Sequence, residues 1–227
     1  MTKEKENGVR EIAFPGQILG SKSEYLPSSG TYEDNGNIVS KYLGILVKSG
    51  NYISVVPLAG VYVPKPGDHV IGIVTAVEKV GWVVDINSPW EAFLSLSEGV
   101  EEFIDLKRVL LNRYYDEGDV IYAQILSAKR GDVQLTMKGP AFKKLREGVL
   151  VKITPSKVPR LIGKEGSMIN LIKEKTKTMI RVGQNGIVWI SGEKIDKAIM
   201  AIKKIDEKSH IYGLTDEITK LLSDKDG

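Results

Sequence analysis

Thr154-Pro-Ser-Lys-Val-Pro-Arg160-Leu-Ile-Gly163-Lys-Glu-Gly166-Ser-Met-Ile-Asn170 decides how this chain is read. It places a G-x-x-G turn between two helical patterns. The spacing alone is weak. With 23 glycines in 227 residues, about two matches arise by chance, and the chain has two. The second, Gly183-Gln-Asn-Gly186, separates Thr178-Met-Ile-Arg-Val182 from Ile187-Val-Trp-Ile190, and two β-rich runs around Asn-Gly read as a hairpin turn. The first has different flanks. Thr154-Pro155-Ser156 opens a short helix through Leu161, and Met168, Ile169, Leu171 and Ile172 form an apolar stripe behind Ser167. Gly148-Val-Leu-Val-Lys-Ile153 upstream reads as a strand. Downstream of the hairpin, Ile195, Ala198, Ile199, Ile202 and Ile205 stripe a longer helix edged by Lys194, Lys197, Lys203 and Lys204. The predicted order is strand, helix, glycine turn, helix, strand, strand, helix.

That order, with Ile162-Gly-Lys-Glu-Gly166 at its turn, resembles a type I KH domain (β-α-α-β-β-α) over residues 147–210. The resemblance implies a clamp on about four nucleotides of single-stranded RNA at the glycine loop. Gly163 and Gly166 would allow close backbone approach, because no Cβ intervenes. Lys164 would supply charge, with Lys157, Arg160, Ile162 and Arg181 as further candidates. Glu165 puts a negative charge in the loop and must point away or weaken binding. A plain helix-turn-helix is the bland alternative.

Charge distribution separates the chain into parts. Residues 1–140 carry 14 Lys and Arg against 18 Asp and Glu, while residues 141–210 carry 16 against 7. The positive field is therefore local to the KH-like segment and its Phe142-Lys-Lys-Leu-Arg146 approach. Such a field attracts phosphate backbones without specifying sequence.

Composition excludes several classes. With 42% hydrophobic residues the chain can build real cores. With no cysteine it has neither disulfides, thiolate metal sites nor a cysteine nucleophile, in keeping with a reducing cytoplasm. No apolar run approaches the ~18–20 residues of a membrane span, so no membrane partner is expected. Residues 1–8 are polar and read as a disordered terminus.

Gly67-Asp68 and Gly118-Asp119 each precede a similar strand, His69-Val-Ile-Gly-Ile-Val74 and Val120-Ile-Tyr-Ala-Gln-Ile125. Between them run Val80-Gly-Trp-Val-Val-Asp-Ile86 and Glu91-Ala-Phe-Leu-Ser-Leu96, then a helical stretch with Phe103, Ile104, Val109 and Leu110. Asp132-Val-Gln-Leu-Thr-Met137 closes the set. Five short strands with a helix before the fourth predict a small OB-type barrel. Residues 64–140 resemble an S1 domain, a fold that commonly binds single-stranded RNA through stacked aromatics. Here Val80 and Val83 stand where that pattern often has Phe, and Ser95 where it often has His. An aromatic stack is worth about 1–3 kcal/mol per base, so a weaker base contact is expected. Trp82, Trp90 and Tyr114 could stack, although aromatics in small barrels are more often core. Arg108, Arg113, Lys129 and Arg130 are the candidates for guiding phosphates.

Residues 9–63 form a third, β-rich piece. Asp34-Asn-Gly-Asn37 turns into one run, Ile38 to Val47, and Lys48-Ser-Gly-Asn51 turns into Tyr52-Ile-Ser-Val-Val56. It is too short for a large core; its apolar residues face either the neighbouring barrel or a partner protein. Residues 211–227 read as a C-terminal helix or tail. The fold class expected is thus multidomain, β and α+β: an N-terminal β-rich module, a five-stranded S1 barrel and a KH domain.

This domain order, together with Phe14-Pro-Gly-Gln-Ile-Leu-Gly20 and Ser209-His-Ile-Tyr-Gly-Leu-Thr-Asp216, resembles the archaeal exosome's RNA-binding cap family, the ribosomal RNA-processing protein four family. The resemblance implies a non-catalytic subunit without a cofactor. Its partners would be single-stranded RNA, the RNase PH-like hexameric ring and other cap subunits in a trimeric cap. The ring degrades RNA from the 3′ end with phosphate; the cap gathers RNA and favours adenine-rich tails. The N-terminal module would hold the ring. The residues themselves agree on catalysis. His69 and His210 are far apart and show no metal-ligand spacing, Gly163-Lys164 is no P-loop, and Glu101-Glu102 and Asp116-Glu117 read as solvated charges. Two alternatives stay open: a free-standing S1/KH factor of ribosome or transcript biology, and a metal-dependent ribonuclease.

Overall fold

A computed structural model describes residues 11–102, 110–129, 131–208 and 213–223. The chain divides into two units, Met1–Gly60 and Val61–Gly227.

Among its described residues the first unit has only β-strands as regular elements. Strands β1 (Ile12–Ala13), β2 (Ile18–Ser21), β3 (Leu26–Pro27), β4 (Thr31–Asp34), β5 (Asn37–Ser40), β6 (Gly44–Ser49) and β7 (Tyr52–Pro57) form two sheets, ordered β1-β6-β7-β3 and β2-β5-β4. The β4–β5 turn is Asn35-Gly36, both at positive φ (47° and 80°), which is the twist a two-residue hairpin needs. The run from Ile38 to Val47 is not one strand. Lys41, Tyr42 and Leu43 are exposed and carry the chain from one sheet to the other. Gly44 then enters β6 so close to β7 that a Cβ there would lie 2.4 Å from the Val56 carbonyl oxygen. Ala13, Ile38, Val39, Ile53 and Val55 make the small core.

The second unit begins with a closed barrel: β8 (His69–Glu78), β9 (Gly81–Asp85), β10 (Ala92–Ser95), β11 (Val120–Lys129) and β12 (Asp132–Thr136). Antiparallel pairing runs β10-β9-β8-β11-β12, and a parallel β10–β12 ladder closes it. Trp82 lies wholly inside, its indole N–H donating to the Tyr115 carbonyl at 2.8 Å, so it is core as its position in a small barrel suggests. A short helix, α1 (Leu96–Gly99), follows β10. The helical stretch expected from Phe103 to Val109 lies outside the described residues; Leu110 is described and exposed.

The connection to the next domain is itself a strand. β13 (Lys143–Leu145) adds to the outer edge of β11. Then come β14 (Val149–Lys152), a 3-10 turn Pro155–Lys157, α2 (Val158–Ile162), α3 (Ser167–Thr176), β15 (Thr178–Val182), β16 (Ile187–Gly192) and α4 (Ile195–Lys208). This is the predicted β-α-α-β-β-α order, with sheet order β14-β16-β15. One sheet face packs on the helices through Val151, Ile180, Val188 and Ile190. A further helix, α5 (Leu214–Ser223), sends Leu214, Ile218 and Leu222 into the same core, so the stretch read as a C-terminal helix or tail carries a helix that joins the hydrophobic cluster.

Barrel and KH unit are joined face to face. Ile71, Tyr122 and Leu145 pack against Ile187 and Trp189. The hairpin Gly183–Gly186 is a turn, as the Asn-Gly pair predicts, and it is also a plug. The fully buried Asn185 amide donates to the carbonyls of Ile71 and Ile86, both at 2.8 Å, and its Oδ1 accepts from the Ile71 amide at 3.3 Å. Gln184 N–H donates to the His69 carbonyl at 2.8 Å, and its side chain accepts from the His69 amide.

Candidate nucleic-acid interface

The glycine loop depends on three departures from ordinary backbone within four residues. Gly163 sits at φ 76°, ψ 174°, a region only glycine occupies without severe strain. Glu165 (φ 53°, ψ 28°) and Gly166 (φ 80°, ψ 9°) are left-handed. The two glycines are needed for different reasons. A Cβ on Gly163 would meet the Met168 amide nitrogen at 2.7 Å, so that glycine lets the chain fold against itself. A Cβ on Gly166 would stand 3.3 Å from the nearest atom, on Asn170, so its requirement is conformational. Gly163 therefore has an internal packing requirement of its own, independent of any ligand.

The loop nonetheless faces outward. Lys164, Glu165 and Ser167 are exposed, and the two glycines are half-buried. α3 starts at Ser167 with no side-chain cap. Its first-turn amides and the positive end of its dipole point into the loop, the arrangement that attracts a phosphate.

The other predicted residues divide. Lys157 is committed elsewhere: its ammonium donates to the Asp206 carbonyl and lies 3.4 Å from the Asp206 carboxylate, tying the 3-10 turn to α4. Arg160 is half-buried beside the loop, and its Nε is buried without a hydrogen-bond partner. Ile162 packs partly on the KH core. Arg181 lies on β15 with its guanidinium over the Tyr122 ring, 5.6 Å from the centroid. On the barrel, Arg113 ends a 3-10 turn (Leu111–Arg113) and Lys129 ends β11, both exposed. Arg108 and Arg130 lie outside the described residues.

Among the described residues, the barrel's outer face carries few stacking groups. Val80 is exposed and Val83 and Ser95 are half-buried, while Phe93 lies across Gly81, where a Cβ would meet its ring at 2.7 Å. Trp90 is 42% exposed and its indole covers Gly131. The half-buried Tyr114 donates its hydroxyl to Glu102 at 2.9 Å. His69 is a packing residue: its ring meets Tyr122 and Phe142 edge-on at 5.8 and 5.1 Å, with Nδ1 3.2 Å from the Tyr122 hydroxyl. His210 lies outside the described residues. No helix among the described residues is long and apolar enough to cross a membrane.

Reading by sequence alone took Asn185 only as a turn residue, although its amide bonds the Ile71 and Ile86 carbonyls of the barrel.

Comparison with known proteins places three family models along the chain. Residues 12–49 match the exosome complex exonuclease RRP4 N-terminal region, residues 61–127 the RRP4 S1 domain, and residues 148–207 the KH domain. The exosome complex component Rrp4 of Pyrococcus abyssi is 45% identical over 219 residues, covering 94% of this chain and 82% of that one. That of Picrophilus torridus is 38% identical over 222 residues, covering 96% and 95%. A crystal structure of a candidate exosome complex RNA-binding protein superposes with a TM-score of 0.66 at 35% identity, covering 72% of this chain and 95% of that chain.

Proposed function

This chain belongs to the Rrp4 family of exosome complex components, and from that premise we propose that it is a non-catalytic RNA-binding cap subunit. In this reading it holds single-stranded RNA, favouring adenine-rich 3′ tails, and delivers it to an RNase PH-like hexameric ring for 3′-to-5′ phosphorolysis in the cytoplasm. Its place is in a trimeric cap, with the β-rich first unit docked on the ring.

The observation that carries the RNA-holding role is the outward glycine loop on the uncapped N-terminus of α3. The strand's phosphate would lie against the amides at the start of α3. Lys164 would add a point charge from the exposed side, and Arg160 would bring its guanidinium alongside. Exposed Arg113 and Lys129 would guide phosphates along the barrel without base readout. Ring docking is supported by the exposed apolar side chains of the first unit, Phe14 and Ile18 among them, at 59% and 61% exposure.

Two measurements test this. Labelled adenine-rich RNA should bind the full chain with an affinity that falls as salt rises, and replacing Lys164 and Glu165 by aspartate should weaken binding while the fold persists. Unchanged affinity would remove the loop from the site. The purified, ring-free chain incubated with labelled RNA, phosphate and magnesium or manganese should leave the RNA intact; robust cleavage would overturn the non-catalytic reading. Co-purification with a ring-shaped assembly supports the cap, and a partner-free monomer supports a free-standing factor.

A further inference from the structure

The barrel carries a hollow that the RNA-holding role does not use. It lies between the tip of the β8–β9 hairpin and the segment that runs from Leu110 through the 3-10 turn towards β11, and it encloses about 670 Å³. Much of its lining is apolar. Val77 is half-buried and Leu111 buried, while Val80 and Leu110 stand 57% and 74% exposed. Exposed Glu78, Asp116 and Glu117 line it too, against a single ammonium, Lys79. Among the described residues, none of these three carboxylates forms an ion pair.

Both walls are held in place by the barrel itself. Glu78 pairs with Gly81, so Lys79 and Val80 form a two-residue turn, and the Val80 carbonyl accepts from the Leu96 amide at 3.0 Å. Opposite, the Asp116 amide donates to the Asp119 carboxylate at 2.7 Å and the Glu117 amide to the Asp116 carboxylate at 3.0 Å. The Gly118 amide donates to the Val74 carbonyl at 2.8 Å. An occupant therefore meets apolar groups on ordered backbone and orders little of the chain on binding, which favours affinity.

Charge selects the occupant. Residues 61–140 hold 8 Lys and Arg against 12 Asp and Glu, whereas residues 1–60 hold 6 of each, so the acidic excess of the first 140 residues belongs to the barrel segment. That field repels a phosphate strand, and none of the described lining residues is aromatic, so a base finds no ring to stack on. A purely apolar ligand would leave the carboxylates unanswered. A protein segment with one aliphatic side chain between lysines or arginines answers both features. The volume lies within the ~300–1,000 Å³ of enclosing sites, room for that side chain and the backbone on either side of it.

We propose that this hollow docks a short basic segment of a partner protein. One aliphatic side chain seats against Val77, Val80, Leu110 and Leu111, and the flanking cations face Glu78, Asp116 and Glu117. The barrel is then a protein-docking surface, a role that goes beyond RNA binding and stands or falls separately from it.

The test uses the full chain and four fluorescent peptides, Lys-Arg-X-Lys-Arg with X as Leu, Ile, Val or Ser, by anisotropy across a salt series. At least one aliphatic member should bind at about 0.1 mM or tighter at low salt. The Ser member should bind about tenfold more weakly, the factor expected for burying one aliphatic side chain. Val80→Ser with Leu110→Ser should erase that preference. Glu78→Gln with Glu117→Gln should weaken every member about tenfold at low salt and flatten the salt dependence. Glu174→Gln with Glu207→Gln, exposed acids of α3 and α4, is the charge-matched control and should change nothing. The docking site is wrong if no member binds more tightly than about 1 mM, if aliphatic and Ser members bind alike, or if the control weakens the peptides as much as the pocket pair. A second copy as the occupant would appear in sedimentation as self-association that Val80→Ser with Leu110→Ser abolishes. RNA as the occupant would appear as lost binding of labelled RNA in the same variant. Either result overturns the proposal. The substituted side chains are exposed, so thermal melts should match the wild type; if the double variant melts early, Leu110→Ser alone carries the comparison.

Discussion

Replacing Asn185 by alanine should loosen the joint between the barrel and the KH unit. The wild-type amide satisfies three buried backbone groups of the barrel: the Ile71 N–H, the Ile71 carbonyl and the Ile86 carbonyl. Asn185 is fully buried, so nothing else replaces these bonds unless water enters. An unsatisfied buried group costs about 1–3 kcal/mol. The three groups share one side chain and are not additive, so the expected loss is about 3–5 kcal/mol. Gln184→Ala makes the comparison. Its side chain is exposed and accepts one bond, from the His69 amide, so its loss should be about 0.5–1.5 kcal/mol. Urea unfolding of the full chain, followed by tryptophan fluorescence, reads both, since Trp189 lies at the seam and Trp82 in the barrel core. Asn185→Ala should move the transition to lower urea and separate a seam transition from a barrel transition. A loss below about 1 kcal/mol with one unchanged transition would refute the reasoning, because the joint would then rest on apolar packing alone.

Other outcomes follow from the loop and from two carboxylates. Gly163→Ala should cost at least ~3 kcal/mol by combining a glycine-only conformation with a Cβ 2.7 Å from the Met168 amide, whereas Gly166→Asn should cost about 1 kcal/mol or less; urea midpoints compare them. Glu165→Asn should raise stability by up to ~1 kcal/mol, since Asn tolerates φ 53°, and should tighten RNA binding a few-fold at low salt by removing a negative charge. Stability should fall as pH drops below the ordinary carboxylate values of 3.8 for Asp119 and 4.5 for Glu98. Burial raises the Asp119 pKa, but the Asp116 amide, the Lys144 bond and the charges of Lys144 and Arg146 more than reverse that; Lys138 and then Thr136 lower Glu98. Both groups bind protons more weakly when folded, so their stabilisation is complete above those values and lost as protonation proceeds. A Tm profile from pH 7 to 3 should be flatter in Lys144→Gln with Lys138→Gln.

Much of this protein is legible in the order of its residues because the deciding signals are local. Helix stripes, Asn-Gly turns and Gly-Asp strand starts act within a few positions of themselves. The β-α-α-β-β-α order, the hairpin at residues 183–186 and the basic balance of residues 141–210 therefore appear without coordinates. What pairs across long separations does not. The apolar run from Ile38 to Val47 reads as one strand, because nothing local says that exposed Lys41, Tyr42 and Leu43 carry it between two sheets. Lys157 reads as a phosphate contact until α4 closes and brings Asp206 to it from 49 positions away. Asn185 reads as a turn residue, although its amide spans 114 positions to Ile71. Alternation and turn chemistry are properties of neighbouring residues. Which cation is neutralised, which glycine is crowded and which hairpin becomes a joint depend on atoms that only chain closure brings together.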